Sequence, residues 1–251
     1  MMNFINNIII GAAEAGLSQT IYNIFFALGF VSVLCTIVFY GNKINLSLKK
    51  SLITVLIVYP AAVALMFFMY WAESGFKFFG GNNIVRVFVY VPVIAYPVAK
   101  LLKEEWKTLC DLLAFGPIAV HGISHFGCVF VGCCHGYPAD WGVYSTYSHT
   151  RLFPIQPIEA IAAVLIIVIL LMRAKRNNYV PTAETYPLML VMFGYSRFIF
   201  EFFRDNDKLI FGCSSLSFHA LFMAIVGTIA LIIIKNKKKR KLTIEKLEIN
   251  N

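Results

Sequence analysis

Gly194-Tyr-Ser-Arg-Phe-Ile-Phe-Glu-Phe-Phe-Arg204 and His125-Phe-Gly-Cys-Val-Phe-Val-Gly-Cys-Cys-His-Gly136 are two polar strips set in otherwise apolar sequence. In the first, Arg197, Glu201 and Arg204 stand at i, i+4 and i+7, a spacing that places three ionic side chains on one face of a helix. A charge at membrane depth costs at least ~2.5 kcal/mol on insertion scales, so three of them together require partners or a function. The face is net cationic, and a lipid phosphate is its natural ligand; an ion network that locks helices together is the structural alternative.

The sequence around these strips is that of a membrane. Of 251 residues, 59% are hydrophobic and 14% charged, with a mean hydropathy of +0.73; soluble domains carry roughly 25% charge. The formal net charge of +9 sits in short loops and a C-terminal tail. That placement excludes a nucleic-acid groove and points to anionic lipid headgroups. Six scattered cysteines do not make a disulfide scaffold. The N-terminal segment lacks a basic region and a small-residue cleavage site, so the first apolar span is expected to stay in the membrane.

Runs near the ~20 residues that a span needs fall at 21–41, 51–72, 83–102, 111–133, 155–172, 186–203 and 215–234. The chain therefore reads as an all-α polytopic membrane protein, one seven-span transmembrane domain over 1–251 with a basic tail at 235–251. The connections after spans one, three and five, with the tail, hold 16 Lys and Arg, against 4 on the other side: Lys77, Arg151, Arg204 and Lys208. The excess marks the cytoplasm, which puts the N-terminus outside and the C-terminus inside.

Several residues within this frame are candidates for chemistry, each with a plainer reading. Tyr22, in Gln19-Thr-Ile-Tyr-Asn23, suits an interfacial aromatic anchor. Gly80-Gly81 either makes a turn or lets backbone approach a neighbour closely. Arg86 either snorkels or is buried for a purpose. His121 and His125 at i, i+4 have the spacing of a metal pair, but without an accompanying carboxylate motif they read as hydrogen-bonding core residues, and no metal is expected. Gly122, Gly127 and Gly132 keep that helix narrow for close packing. The outward segment 137–154 reads as an irregular loop placed to cover a site. In Pro154-Ile-Gln-Pro-Ile-Glu159, Glu159 either complements the start of a helix or holds a cationic neighbour, with Gln156 one turn before it.

These residues resemble the bacterial prolipoprotein diacylglyceryl transferase family, seven-span inner-membrane enzymes with an external N-terminus. Tyr195-Ser-Arg-Phe-Ile-Phe-Glu-Phe-Phe-Arg204 is similar to the family's Arg-Phe-x-x-Glu-x-x-Arg motif, whose essential arginine corresponds to Arg197. Pro154-x-Gln-x-x-Glu159 is similar to its Pro-x-Gln-Leu-Tyr-Glu motif, with Ile158 in place of the tyrosine. Tyr22, Gly80 and Gly81 fall where the family has functional or motif residues. The cysteine strip departs from the signature Arg-x-Gly-Asn-Phe-x-Asn-Gly-Glu: the glycine frame Gly127, Gly132 and Gly136 is kept, while His125 replaces an arginine, Cys128 an asparagine and Cys133 the glutamate. The chain thus resembles a divergent branch with a Gly-Cys-Cys-x-Gly motif.

The resemblance implies transfer of a diacylglyceryl group from phosphatidylglycerol to the lipobox cysteine thiol of a prolipoprotein signal peptide, with release of glycerol phosphate, in the bacterial plasma membrane. It implies Arg197, His125 and Glu201 as catalytic residues, and Arg204, Tyr22, Gly80, Gly81, Cys128, Gly136, Gln156 and Glu159 as substrate-binding, with membrane lipids as partners, no nucleic acid and no cofactor. Two rival functions remain open on the residues: a thiol-redox or metal-binding membrane protein using Cys128, Cys133, Cys134 and His135, and a non-catalytic lipid-binding homologue. If a helix runs through the strip, Cys133 and Cys134 point about 100° apart and cannot share a ligand, whereas His125, Cys128 and His135 share a face.

Overall fold

Where water is absent a backbone must satisfy its own hydrogen bonds, and apolar runs of this length do so as helices. The computed structural model of the chain describes residues 2–77, 84–207 and 209–249. It comprises α1 (Met2–Glu14), α2 (Ser18–Lys43), α3 (Leu48–Glu73), α4 (Ile84–Leu102), α5 (Trp106–Leu113), α6 (Gly116–Val131), β1 (Pro138–Tyr144), β2 (Arg151–Leu152), α7 (Ile155–Arg176), α8 (Thr185–Phe200) and α9 (Ser215–Ile249). Among the described residues, six helical stretches are long and apolar enough to cross a membrane: α2, α3, Val85–Leu102 of α4, Trp106–Val131 spanning α5 and α6, α7, and Ser215–Lys241 of α9.

Three expectations are corrected. The fourth span is two helices, broken at Ala114-Phe115, and Pro117 stands in the first turn of α6, where its missing N–H costs nothing. The sixth expected span is the 16-residue α8, about 24 Å long at the α-helical rise. It passes into a 3-10 turn at Glu201–Phe203, and Arg204 follows in extended backbone (φ −89°, ψ 144°), so Arg197, Glu201 and Arg204 do not share one helix face. Lastly, 137–154 is not irregular throughout: β1 and β2 pair antiparallel in a small hairpin, the one departure from helix among the described elements.

That hairpin is pinned by α1. The buried Asn6 donates to the Gly142 carbonyl (3.3 Å) and accepts from the Tyr144 backbone N–H (2.8 Å), while Ile9 packs with Val129 and Val143. One amide side chain thus supplies both bonds that two strand residues would otherwise lack.

The layers that matter most for function are α2, α6, α7 and α8. A Cβ on Gly127 would lie 3.1 Å from the Tyr22 Cα, and one on Gly122 would lie 2.8 Å from the Ala163 Cβ, so α6 needs glycine to sit between α2 and α7. At the opposite end, the buried Asp111 carboxylate of α5 accepts from the backbone N–H groups of Thr182 (2.8 Å), Ala183 (3.2 Å) and Thr185 (3.2 Å). Thr185 opens α8 and Thr182 and Ala183 lead into it, so the carboxylate satisfies donors of the entering turn and complements the helix dipole. Asp111 thereby sets where α8 begins and, twelve residues on from Thr185, where Arg197 arrives.

Candidate functional site

A carboxylate on the second turn of α7 gathers the site. Glu159 is 3% exposed. It meets Arg197 Nη1 through Oε1, accepts from Arg204 Nη2 at Oε2 (2.7 Å) and from Arg204 Nε at Oε1 (3.3 Å), and lies 2.9 Å from His125 Nε2. His121 Nε2 stands 3.5 Å away. Because His125 Nδ1–H donates to the His121 carbonyl (2.9 Å), it is Nε2 that faces Glu159. The same nitrogen lies 3.4 Å from Arg204 Nη2, so the ring sits between the carboxylate and a guanidinium.

Glu201 forms a second anchor. It is fully buried, lies 3.3 Å from Arg197 Nη2 and 3.6 Å from Arg204 Nε, and accepts from Ser214 Oγ (2.8 Å) and Asn206 Nδ2. Two arginines and two glutamates cancel in formal charge, so the cationic face expected from α8 alone is compensated by an acid from α7. Desolvation of four such groups costs several kcal/mol each unless geometry and hydrogen bonds repay it, and here every group has more than one partner. Burial lowers the pKa of Arg204, but Glu159, Cys134 and Glu201 outweigh it and raise the value, so this guanidinium stays charged.

Arg204 joins this network to the cysteine strip. Its Nη1 donates to the Cys134 carbonyl (3.0 Å), and Gln156 Nε2 donates to the Cys133 carbonyl (2.9 Å). The helix does not run through the strip: α6 ends at Val131, Gly132 is left-handed (φ +70°), and Cys134 is left-handed as well (φ +57°). The expectation that Cys133 and Cys134 diverge, and that His135 shares a face with His125 and Cys128, is therefore corrected. The thiols of Cys128, Cys133 and Cys134 lie within 4.8 Å of one another. Thiol contacts from Cys128 and Cys133, reinforced by the charges of Arg204 and His125, hold Cys134 below the usual thiol range.

The remaining expected residues are distributed around this centre. Gly136 bridges to Arg204, and a Cβ there would come within 3.0 Å of Phe153 and of the Phe203 carbonyl, so glycine is required for that crossing. Tyr22 lies against Gly127, the neighbour of Cys128, and stacks on Phe26 at 6.0 Å. Gly80 and Gly81 lie outside the described residues. Arg86 is not a bare snorkelling residue: it pairs with Glu73 (2.7 Å), donates to His219 (3.1 Å) and lines a separate cavity of about 360 Å³ between α4 and α9.

Sequence reasoning missed Asn206 and Ser214, which hold Glu201 from a loop and from the approach to α9. The polar run Ser214-Ser-Leu-Ser217 before an apolar span was the available signal; there Ser217 Oγ accepts from the Ser214 N–H (3.0 Å). Beside the centre, His121 of α6, Glu159 and Ala163 of α7, and Phe193, Ser196 and Arg197 of α8 close around a gap with no room for a water molecule. Leu165 on α7 and Ile199 on α8 are exposed and apolar, as surfaces against lipid tails must be.

The family model described as prolipoprotein diacylglyceryl transferase matches residues 7–234. The chain is also 27% identical over 157 residues to phosphatidylglycerol–prolipoprotein diacylglyceryl transferase 2 of Clostridium perfringens (strain 13 / Type A). That alignment covers 58% of this chain and spans 59% of the relative's length.

Proposed function

The chain belongs to the prolipoprotein diacylglyceryl transferase family, and from that premise we propose that it transfers a diacylglyceryl group from phosphatidylglycerol to a lipobox cysteine. The observation that carries the proposal is a paired-arginine centre built on Glu159 and Glu201, where α7 meets α8 and its 3-10 turn. A guanidinium has five N–H donors in a fixed fork suited to phosphate. Arg197 commits Nη1 and Nη2 to carboxylates and keeps further donors for a ligand.

In the reaction the acceptor thiol loses its proton and attacks the glyceryl carbon that bears the phosphate ester. The carbon–oxygen bond breaks, glycerol phosphate leaves, and a thioether remains. Negative charge moves from sulfur to phosphate. Preorganised cations at the receiving end stabilise that shift, usually the largest single contribution to such catalysis. Arg197 and Arg204 supply them, held by Glu159 and Glu201 so that little reorganisation is needed. His125, with Nδ1–H on the His121 carbonyl and Nε2 toward Glu159, either accepts the thiol proton at Nε2 or, once protonated there, adds a third cation where an arginine stands in the family signature. A free thiol with a pKa near ~8.5 is mostly protonated at neutral pH, so this step needs assistance.

The orientation belongs to the same proposal. It takes α8 and its 3-10 turn as the sixth of seven spans, and the basic count of 16 against 4 favours the N-terminus outside a bacterial plasma membrane and the tail within. The contact of α1 with the β1–β2 hairpin supports it, since the N-terminus and the 137–154 segment then lie on one side. Complementation of a strain depleted of its own transferase, scored by the electrophoretic mobility of lipoproteins, tests the function. Rescue by the wild-type chain and loss of rescue with Arg197→Ala are expected; unprocessed prolipoprotein in both cases would favour a lipid-binding homologue without activity.

A further inference from the structure

We infer that Cys128, Cys133 and Cys134 form a zinc site with one open coordination position, suited to receive a fourth, exchangeable thiolate. Their thiols lie within 4.8 Å of one another, and among the described residues no fourth ligand atom joins that group. Around a tetrahedral zinc with Zn–S near ~2.3 Å, sulfur atoms stand about 3.8 Å apart. The three sulfurs are therefore already within about 1 Å of metal-bound spacing. Soft thiolates select zinc or copper(I), and three protein ligands with an open fourth position is the pattern of reactive zinc.

The backbone is shaped to bring these sulfurs together. Left-handed residues at Gly132 and Cys134 turn the chain back after α6, so that two cysteines beyond the helix face a buried one within it. The carbonyls of Cys133 and Cys134 are then held by Gln156 (2.9 Å) and Arg204 (3.0 Å). Outer partners of this kind fix the ligands of a metal site. Two adjacent cysteines on a regular helix would not converge; here both reach Cys128.

Arg204 also places the site relative to the phosphate centre, because one guanidinium bonds both Glu159 and the Cys134 carbonyl. Arg204 thus touches both the cysteine strip and the centre proposed to hold phosphate. The metal site stands on the thiol geometry alone; its use rests on the transferase reading. In that use the acceptor thiol releases its proton to water on binding zinc, the bound sulfur forms the new carbon–sulfur bond, and the carbon–oxygen bond to phosphate breaks. The neutral thioether, a weak ligand, then leaves the metal. No electron transfer is involved.

The full chain, purified in lipid nanodiscs under reducing conditions, is tested first with zinc(II) and then with cobalt(II) as its spectroscopic substitute. One zinc per chain is expected, with cobalt giving sulfur-to-metal charge transfer and the visible bands of a tetrahedral site. Cys134→Ser and Cys128→Ser should weaken binding by more than the roughly 10–100-fold that loss of an outer-shell partner brings, whereas Cys35→Ser, on α2, should leave it unchanged. Addition of a lipobox peptide should shift the cobalt bands, and its cysteine-to-serine counterpart should not. No stoichiometric zinc, copper in its place, or a Cys133–Cys134 or Cys128–Cys134 disulfide that survives reduction would overturn the site. Diacylglyceryl transfer that proceeds unchanged in zinc-free protein would overturn its role while leaving the transferase reading intact. Zinc binding without any transfer would do the reverse, sparing the site and removing the function.

Discussion

Replacing Glu159 with glutamine keeps the volume of the side chain and removes the charge on which Arg197, Arg204 and His125 converge. Glu159 is 3% exposed, so the guanidiniums cannot turn to water when it is neutralised. Removing one partner from a buried ion pair costs about 3–5 kcal/mol, because the other charge is left behind. Arg204 would retain Glu201 at 3.6 Å and the Cys134 carbonyl, and Arg197 would retain Glu201 at 3.3 Å, so the lower end, about 3 kcal/mol, is expected. The control is Glu73→Gln, which breaks an ion pair with Arg86 whose carboxylate side chain is 50% exposed and should cost no more than ~1 kcal/mol. Both variants would be followed by tryptophan fluorescence during denaturant unfolding in matched detergent micelles, and Glu159→Gln combined with Arg204→Met should be less than additive. Equal stability of the Glu159 and Glu73 variants would refute the view that Glu159 organises the centre.

Arg197→Ala should abolish diacylglyceryl transfer while Lys241→Ala, in the exposed tail, leaves it unchanged, as measured by peptide modification; a folded Arg197→Ala protein with full turnover would make the arginine structural. Single cysteines introduced at 137–154 should react with membrane-impermeant maleimide in intact cells, and cysteines in the 235–241 tail should react only after lysis, with the reverse pattern inverting the topology. Asn6→Ala should leave the Gly142 carbonyl and the Tyr144 N–H unsatisfied at a cost of ~1–3 kcal/mol. That variant should be cut by protease within the hairpin well before the bundle unfolds.

The membrane class and most of the helices were legible because hydropathy is a local property and each span carries it alone. Other features required partners that no window contains. Asn6 belongs to a helix of 13 residues whose role depends on Gly142 and Tyr144, more than 130 positions away. The α5–α6 break was signalled by Gly116-Pro117, since proline favours the first turn of a new helix, but a continuous apolar run hid it. At the centre, Arg197, Glu201, Glu159 and His125 were all singled out, but sequence left open whether Glu159 served a helix end or a cation. Only the approach of α7 to α8 decides between them. The cysteine strip was misread for a related reason: a helical wheel assumes that the helix continues, and the glycine at 132 that ends it could equally have served packing.

The central claim is tested most directly by mass spectrometry of a lipobox peptide incubated with the purified chain and phosphatidylglycerol vesicles. The account predicts a diacylglyceryl adduct on the peptide cysteine through a thioether, with one glycerol phosphate released per adduct and none formed with Arg197→Ala. An unmodified peptide in the presence of folded wild-type protein would contradict it.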